Sequence, residues 1–555
     1  MSVTDKIQAV RQWMAENGVG ALVVPTDDPH GSEYVADHWQ CRRWLTGFTG
    51  SAGDAVVTMD EAFLWTDSRY WLQADEQLAG TEFKLMRIGQ DLEIDDWLKE
   101  HGFVNTDGNP SLVVRSFEEP FDRIWTDRPP LPLTKAWIMP EELTGESARS
   151  KLDRIVDWLN ISGLESVFIY DLAEVAWILN IRGGDIEYNP FVISFLEVRA
   201  NGTHTMYVHE SQVAGIEDCL SSLGVVLAPY EQGLSMSEKW RGKVLSPVAA
   251  WKSVKNPVEQ KGFRQAHVHD GVAMVRFLSW LDDVGPTSEI AVETKLKELR
   301  AEQPGFLELS FGTIAGYGSH GAIVHYEASP ETDAGINGDG LLLLDSGAHY
   351  CFTDKDGDGG FSGTTDITRT VATGRPTDEE REIYTLVLKG HLQLQNAVFP
   401  RGTTGLQLDM LARASMWKSG YDYGHGTGHG VGHVLGVHEG PVQIRKNCRT
   451  DTLKPVVDGC VITDEPGIYI PGKFGVRIEN MLLCIAERTT DFGEFLKFEP
   501  LTICPYDRRL IEVDLLTSEE IGWINDYHAK VRDTIMPLLR EEKDRDWLLR
   551  ATVTL

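Results

Sequence analysis

The sequence contains no long apolar run and few cysteines. None of its apolar stretches reaches the length of about 20 residues that a membrane-spanning helix needs. Its seven cysteines are scattered, odd in number and without a CxxC pair, which is typical of a reducing compartment rather than a disulfide framework. The N-terminus opens into a mixed amphipathic stretch without the pattern of a secretory signal. We therefore expect a cytoplasmic protein that does not enter a membrane.

Positive charge is scarce relative to negative charge. Lys and Arg number 52 against 84 Asp and Glu, which gives a formal net charge of −32. Nucleic acids and anionic membranes are bound by basic surfaces, so we expect neither as a partner. We interpret the acidic surface as one that keeps the protein soluble. Attraction of cationic peptide N-termini is a weaker alternative.

The length of 555 residues predicts several domains, because single hydrophobic cores stop growing well below this size. We predict boundaries that give domains 1–143, 144–251 and 252–555. In the first two, helix patterns alternate with short apolar strands such as Ala21–Pro25 and Val167–Tyr170, which predicts α/β domains. Asn256-Pro257 is a helix start signal, and we expect one large α+β domain after it.

Within the third domain, carboxylates and imidazoles recur where a hydrophobic core does not require them. Asp345 ends the apolar strand 341–345, and Asp366 lies in the β-branched segment 363–370. A hairpin would place both carboxylates on neighbouring strands. A glycine-rich GHGTGHGVGH segment and two further acidic motifs follow. The resulting metal-ligand candidates are Asp345, Asp366, His429, Glu465 and Glu479.

Four carboxylates and one imidazole are a hard, oxygen-rich donor set. Such a set suits Mn²⁺, Co²⁺, Fe²⁺ or Zn²⁺ better than a thiolate-based structural zinc site does. A pair of these ions bridged by carboxylates can hold a hydroxide and clamp a carbonyl oxygen. The residues alone therefore favour metal-assisted hydrolysis.

Several short motifs occur in a fixed order along nearly the whole chain. They are RWLTGFTGSAG from Arg43, LWTDSRY from Leu64, AWILNIRG from Ala176, GAIVHY from Gly321 and FEPLT from Phe498. Each motif alone is weak, but the ordered series is specific. Together with the five ligand candidates, it resembles aminopeptidase P of the creatinase or "pita-bread" metallopeptidase family.

This resemblance implies two creatinase-like N-terminal α/β domains followed by a pita-bread catalytic domain. It also implies hydrolysis of the Xaa-Pro bond at the N-terminus of proline-containing peptides, through a hydroxide that bridges two divalent metal ions. The implied metal is Mn²⁺, with Zn²⁺ or Co²⁺ as alternatives, and the implied assembly is a homodimer.

The family also implies a role for each ligand candidate. Asp366 and Glu479 would bridge both ions, Asp345 would complete one site, and His429 and Glu465 would complete the other. Glu465 would also take a proton from the bridging water and pass it to the leaving proline nitrogen. Protonation of that nitrogen is chemically required, because an amide nitrogen leaves poorly without it.

Four further residues match positions that act on the substrate or on a ligand in the family. His438 and His325 resemble the histidines that stabilise the oxyanion and orient the substrate. His425 resembles the residue that lines the proline pocket, and Arg477 resembles one that orients a metal carboxylate. His433 lies in the same glycine-rich segment, but the Glu of a helical zinc motif is missing, so we interpret it as structural.

Two other functions remain as alternatives. The first is a prolidase, restricted to Xaa-Pro dipeptides. The second is a pita-bread domain that serves as a peptide-binding module without catalysis. The long three-domain layout favours an aminopeptidase over a prolidase, and the presence of all five ligand candidates argues against a module that has lost catalysis.

The segment between the first two ligand candidates is longer than the family hairpin. Asp366 follows Asp345 by 21 positions, and the additional residues include Asp354, Asp356 and Asp358 in the DxDxDG spacing of a calcium loop. Thr365 stands where an EF-hand needs its closing Glu, so a complete EF-hand is excluded. We interpret the segment as a solvated hairpin extension, with a Ca²⁺ site at the three aspartates as the alternative.

Overall fold

The structure is a computed structural model that describes residues 1–103, 113–116, 118, 120–240, 243–353, 360–447 and 453–555. The first region, residues 1–125, is built around a five-stranded sheet with the order β4-β3-β2-β1-β5. Its first helix begins at the capping box of Ser2 and Asp5 and ends at Gly18, whose φ of 65° is left-handed. The elements are α1 Val3–Asn17, β1 Ala21–Val24, α2 Cys41–Thr46, β2 Asp54–Thr58, β3 Ala62–Thr66, α3 Trp71–Gln77, β4 Phe83–Arg87, α4 Ile94–Glu100, β5 Val113–Arg115 and α5 Phe121–Ile124.

The second region, residues 137–252, contains a four-stranded sheet with the order β11-β10-β9-β7. The predicted strand Val167–Tyr170 corresponds to β7, and its alternation with helices agrees with the predicted α/β class. The elements are β6 Trp137–Ile138, α6 Glu141–Thr144, α7 Ala148–Ser162, β7 Ser166–Ile169, α8 Leu172–Leu179, β8 Ile181–Arg182, β9 Phe195–Arg199, β10 His204–Tyr207, α9 Glu217–Ser222, β11 Val225–Ala228, α10 Tyr230–Trp240 and α11 Val248–Lys252.

The third region begins with a long helix whose start was predicted from Asn256-Pro257. Asn256 caps the helix and forms a capping box with Glu259, and Pro257 occupies its first turn. The helices are α12 Pro257–Asp283, α13 Glu289–Ala301, α14 Asp378–Gln395, α15 Gly405–Lys418, α16 Ser518–Ile535 and α17 Glu542–Ala551. They pack around antiparallel sheets, as expected for an α+β domain.

The sheets of this region are antiparallel and meet at the candidate site. Their main orders are β13-β17-β18, β14-β16-β19 and β20-β27-β26-β23-β21-β22. The strands are β12 Thr287–Ser288, β13 Phe306–Leu309, β14 Ile314–Tyr317, β15 Gly335–Ile336, β16 Leu341–Ser346, β17 Ala348–Phe352, β18 Phe361–Thr364, β19 Ile367–Ala372, β20 Val398–Pro400, β21 Gly428–Gly430, β22 Glu439–Ile444, β23 Val461–Asp464, β24 Gly467–Ile470, β25 Phe474–Arg477, β26 Asn480–Thr490 and β27 Gly493–Pro500.

The two aspartate candidates are held by neighbouring strands, with Asp345 on β16 and Asp366 immediately before β19, so the predicted strand position is correct for Asp345 only. β16 and β19 pair antiparallel with Asp345 opposite Thr368. Asp366 itself lies between β18 and β19, where the chain passes from pairing with β17 to pairing with β16. In this gap the Thr365 carbonyl accepts from the Ser310 hydroxyl at 2.9 Å.

Across the described residues, no helix is both long and apolar enough to span a membrane.

Candidate metal centre and catalytic cleft

The structure brings all five predicted ligands to one cleft of about 1490 Å³. Asp345 ends the apolar part of β16, and Asp366 precedes β19. His429 is the middle residue of β21. Glu465 follows β23 directly, and Glu479 lies immediately before β26. The five side chains therefore come from paired strands or from residues adjoining them, and the backbone hydrogen bonds of these strands fix their positions.

The imidazole of His429 is oriented towards the carboxylates. Its Nδ1 donates to the Gly430 carbonyl at 2.9 Å, which leaves the Nε2 lone pair available. Nε2 lies 3.6 Å from Asp366 Oδ2 and 3.6 Å from Glu465 Oε1. Ligand atoms of Asp366, His429 and Glu479 all lie within 4.8 Å of one another, so they can share an ion.

Carboxylates are crowded together with little positive charge to offset them. Burial, together with the charges of Asp345 and Glu465, holds the pKa of Asp366 well above its ordinary value. Burial and the charges of the same neighbours also raise the pKa of Glu479 well above its ordinary value. Burial and the charge of Asp345 raise the pKa of Glu465 to about 7, even though Arg477 opposes the shift. Divalent cations would remove this mutual repulsion.

Arg477 links one ligand to two other parts of the site. Its guanidinium donates to Asp345 Oδ2 at 2.6 Å and to the Tyr469 hydroxyl at 2.8 Å. It also donates to the Val324 carbonyl, next to His325, at 3.3 Å. The predicted orienting residue thus contacts a ligand candidate and fixes the surroundings of two histidines. The other Asp345 oxygen, Oδ1, is buried and has no hydrogen-bond partner among the described residues.

His425 forms a wall of the cleft on the Tyr469 side. Its Nδ1 donates to the Gly426 carbonyl at 2.7 Å, and its Nε2 accepts from the Tyr469 hydroxyl at 2.8 Å. Burial and the charge of Arg477 lower the pKa of His425 to about 3. A neutral imidazole with both nitrogens occupied offers a ring surface, which suits contact with a proline ring better than proton transfer.

Two side chains of the first region bond to the other two predicted histidines. The Tyr70 hydroxyl is hydrogen-bonded to Nδ1 of His325. His438 donates from Nδ1 to Glu33 Oε2 at 2.7 Å, and its ring lies edge-on to His429 with 4.3 Å between centroids. Burial lowers the pKa of His438, but the charge and hydrogen bond of Glu33 outweigh it and raise that pKa to about 9. Glu33 therefore favours the protonated form of His438, in which both ring nitrogens are hydrogen-bond donors.

Glu33 and Tyr70 were not predicted from the sequence. Tyr70 belongs to the LWTDSRY motif that carried part of the family resemblance, so this motif was a usable signal. No motif in the sequence distinguishes Glu33. It reaches the site because the first region packs against the catalytic region.

Two other histidines have structural surroundings. His433 is buried and bonds to Ser362, in agreement with the structural interpretation. His349, which has no assigned role, is buried between Thr364 and the Tyr188 carbonyl. The candidate calcium ligands Asp354, Asp356 and Asp358 lie outside the described residues, and the calcium site stays a prediction.

The donor set has the chemistry that divalent metal ions require. It combines crowded, buried carboxylates, an imidazole in the tautomer that exposes Nε2, and an unpaired carboxylate oxygen on Asp345. Hard oxygen donors with a single imidazole are typical of Mn²⁺-like and Zn²⁺-like ions.

Known proteins match the chain along its whole length. Residues 261–486 match Metallopeptidase family M24, and residues 494–555 match the C-terminal region of that peptidase. Residues 6–109 and 127–245 each match a Creatinase/Prolidase N-terminal domain.

Curated relatives and a solved structure agree with these matches. Aminopeptidase P1 of Lotus japonicus is 36% identical over 98% of this chain and 99% of its own length. The probable Xaa-Pro aminopeptidase P of Fusarium vanettenii is 36% identical over 100% of this chain and 99% of its own. The crystal structure of X-prolyl aminopeptidase from Caenorhabditis elegans, described as a cytosolic enzyme with a di-nuclear active site, is 32% identical with a TM-score of 0.91 and complete coverage of both chains. The chain therefore belongs to the aminopeptidase P family of M24 metallopeptidases, with creatinase-type N-terminal domains and an M24 catalytic domain.

Proposed function

We propose that the protein is an Xaa-Pro aminopeptidase, which hydrolyses the bond between the first residue of a peptide and a following proline. The observation that supports this most directly is the meeting of five ligand candidates and three histidines in one cleft. Relatives that match the chain over nearly its whole length carry the name of this activity. The cleft is larger than the 300–1,000 Å³ typical of small-ligand sites, which favours peptides over dipeptides.

Two divalent metal ions are part of the proposal, held by Asp345, Asp366, His429, Glu465 and Glu479. Mn²⁺ is the proposed ion, with Zn²⁺ and Co²⁺ as alternatives. When bound, such ions polarise a carbonyl oxygen and lower the pKa of water.

The proton required by the proline nitrogen is assigned to Glu465. A carboxylate beside a metal-bound water can take a proton from that water and pass it to the leaving nitrogen. Glu465 lines the cleft, and its Oε1 lies 3.6 Å from Nε2 of the ligand candidate His429.

Two histidines are assigned to the substrate carbonyl. His438, kept cationic by Glu33, would donate a hydrogen bond to the oxygen on which negative charge develops. His325, held by Tyr70, would orient the peptide beside it. The ring of His425 and the Tyr469 behind it would form the wall of the proline pocket.

Hydrolysis of defined peptides tests this function. We expect chelated protein to be inactive and added Mn²⁺ to restore cleavage of an Xaa-Pro-Pro tripeptide. Cleavage should be lost in Glu465→Ala, because the variant has neither the ligand nor the proton-transfer group. The release of the N-terminal residue is measured by chromatography, with the dipeptide Xaa-Pro as a parallel substrate.

The other results point to the alternatives. Cleavage of the dipeptide alone would indicate a prolidase. If neither peptide is cleaved with any of the three metals, the protein is a binding module, and peptide affinity becomes the property to measure.

We also propose a cytoplasmic homodimer with domains 1–143, 144–251 and 252–555. The C. elegans relative is described as cytosolic. A surface that a second copy could cover lies on α15, where Met410, Leu411 and Trp417 are 58%, 37% and 42% exposed. Sedimentation velocity should give the mass of a dimer for the wild type and a shift towards monomer when Met410 and Trp417 are replaced by Ser.

A further inference from the structure

The His438 loop, residues 431–438, connects β21 to β22 and lies against the second region. Val434 in this loop has a φ of 51°, a left-handed conformation that a β-branched side chain rarely adopts. Strain of this kind persists only where the surroundings fix the backbone. Because His438 is at the end of this loop, the residues that hold the loop also affect the position of His438.

Apolar side chains of the loop are buried in the second region. Leu435 is 1% exposed and belongs to a core built mainly from residues 137–252, to which Val35, Ala36 and Trp39 of the first region also contribute. Val434 is fully buried with Met139 and Leu143. Gly436 lies so close to Asn189 that an added Cβ would be 3.1 Å from its side-chain oxygen. The loop is thus inserted into the neighbouring region rather than resting on its surface.

A buried cation of the second region binds the loop backbone. Arg182 is 2% exposed; its Nε donates to the Val434 carbonyl at 2.5 Å, and its Nη2 donates to the His433 carbonyl at 3.1 Å. Hydrogen bonds from a charged donor are among the strong ones. Because they are made to main-chain oxygens, they fix the path of the loop itself.

Glu439, the residue after His438, is also bound by buried cations. Glu439 accepts from Lys252 at 2.8 Å and also pairs with Lys255, and the exposed fractions of the three side chains are 2%, 6% and 1%. Removing one partner from a buried pair leaves an uncompensated charge. Both ends of the stretch from His433 to Glu439 are consequently anchored to residues at or beside the second region.

We propose that the second region is a positioning device for His438, and that Leu435 is the residue through which it acts. Leu435 does not touch the cleft; its burial fixes the loop so that the His438 ring stays beside His429 and its Nδ1 stays on Glu33. The inference rests on the proposed peptidase function. It assigns a positioning role to a region that contributes no metal-ligand candidate.

The test compares Leu435→Ala with Leu220→Ala in metal-loaded protein. Leu220 is an equally buried leucine of the same core, on α9, so both variants lose similar packing. We expect kcat for the tripeptide to fall about 10- to 100-fold only in Leu435→Ala, since displacement of a catalytic group by about 1 Å has such an effect. KM, metal content and the near-ultraviolet circular dichroism should stay near wild type. Leu435→Met, which conserves volume, should restore kcat.

A second measurement tests whether the effect of Leu435→Ala on kcat depends on His438. In a His438→Ala background, Leu435→Ala should lower kcat by less than 2-fold (about 0.4 kcal/mol), because residues that act as a unit are not additive. Equal kcat losses in Leu435→Ala and Leu220→Ala, or full additivity with His438→Ala, would overturn the proposal. If the wild type itself cleaves neither peptide, the proposed function fails instead, and the two failures are thus distinguished.

Discussion

In chelator, an Asp366→Asn variant is expected to be more stable than the wild type. The variant should nevertheless lose metal binding, and its peptidase activity should fall at least about 10³-fold. Asp366 is buried beside Asp345 and Glu465, which raises its pKa well above 3.8. An amide removes this repulsion, so the metal-free melting temperature should rise by a few degrees, roughly 2–4 °C. The same amide is a poor ligand, so the variant should gain little stability from Mn²⁺.

The sign of the pH dependence follows from the direction of the shift. A carboxyl group with a raised folded pKa contributes stability that is complete below its unfolded pKa and is lost as the pH rises through its folded pKa. In chelator, the advantage of Asp366→Asn over the wild type should therefore grow from about pH 5 to about pH 8. Scanning calorimetry at several pH values, with chelator and with Mn²⁺, measures both effects.

Asp270→Asn is the matched control for this experiment. Asp270 is also buried in the third region, but it pairs with Arg300 at 2.8 Å and accepts from Tyr350 at 2.8 Å. Breaking that pair should destabilise the protein by about 3–5 kcal/mol with or without metal. An Asp366→Asn variant that behaves like this control, or that binds Mn²⁺ as tightly as the wild type, would contradict its assignment as a ligand.

Much of the catalytic region could be predicted from the sequence because its signals are local. Asn256-Pro257 predicts the start of α12, and in the structure Glu259 completes the capping box within the same turn. The apolar run before Asp345 predicts a strand that ends in a carboxylate, and the structure has that strand. The glycines around His429 mark a segment where the backbone is closely approached; an added Cβ on Gly428 would be 1.9 Å from the Thr463 carbonyl.

Local sequence signals of this kind could not predict the contacts between distant regions. Glu33 and His438 are 405 positions apart, and Tyr70 and His325 are 255 apart. Nothing in the local pattern of either segment specifies its partner, because the contact depends on how whole regions pack. The gap between β18 and β19 at Asp366 was missed for a related reason: the β-branched segment favours a strand, whereas the Ser310 bond to Thr365 in this gap is long-range.

Each of the three regions thus makes a different contribution to the cleft. The third region supplies every ligand candidate, the second holds the His438 loop, and the first supplies the partners of His325 and His438. Removing a side chain of the first region should therefore damage catalysis without removing a metal ligand.

Glu33→Gln is the variant that tests this division most directly. Glu33 accepts from His438 Nδ1 at 2.7 Å, and its charge favours the imidazolium. Gln can keep a hydrogen bond but not the charge, so His438 should lose its cationic form and its fixed orientation. We expect kcat to fall about 10²-fold or more, with Mn²⁺ content and the melting temperature near wild type. Single-turnover cleavage of the tripeptide, with metal analysis of the same samples, provides the measurement.

Two comparison variants separate a charge effect from a general disturbance of the first region. Glu82→Gln breaks the pair with Arg11, neither of whose residues lines the cleft, and should therefore leave kcat unchanged. Glu33→Asp keeps the charge on a shorter side chain and should recover part of the loss. If Glu33→Gln instead loses metal, the carboxylate supports the ligands rather than His438. If it keeps full activity, the first region is not needed to hold the histidine, and the cationic state of His438 must come from the catalytic region alone.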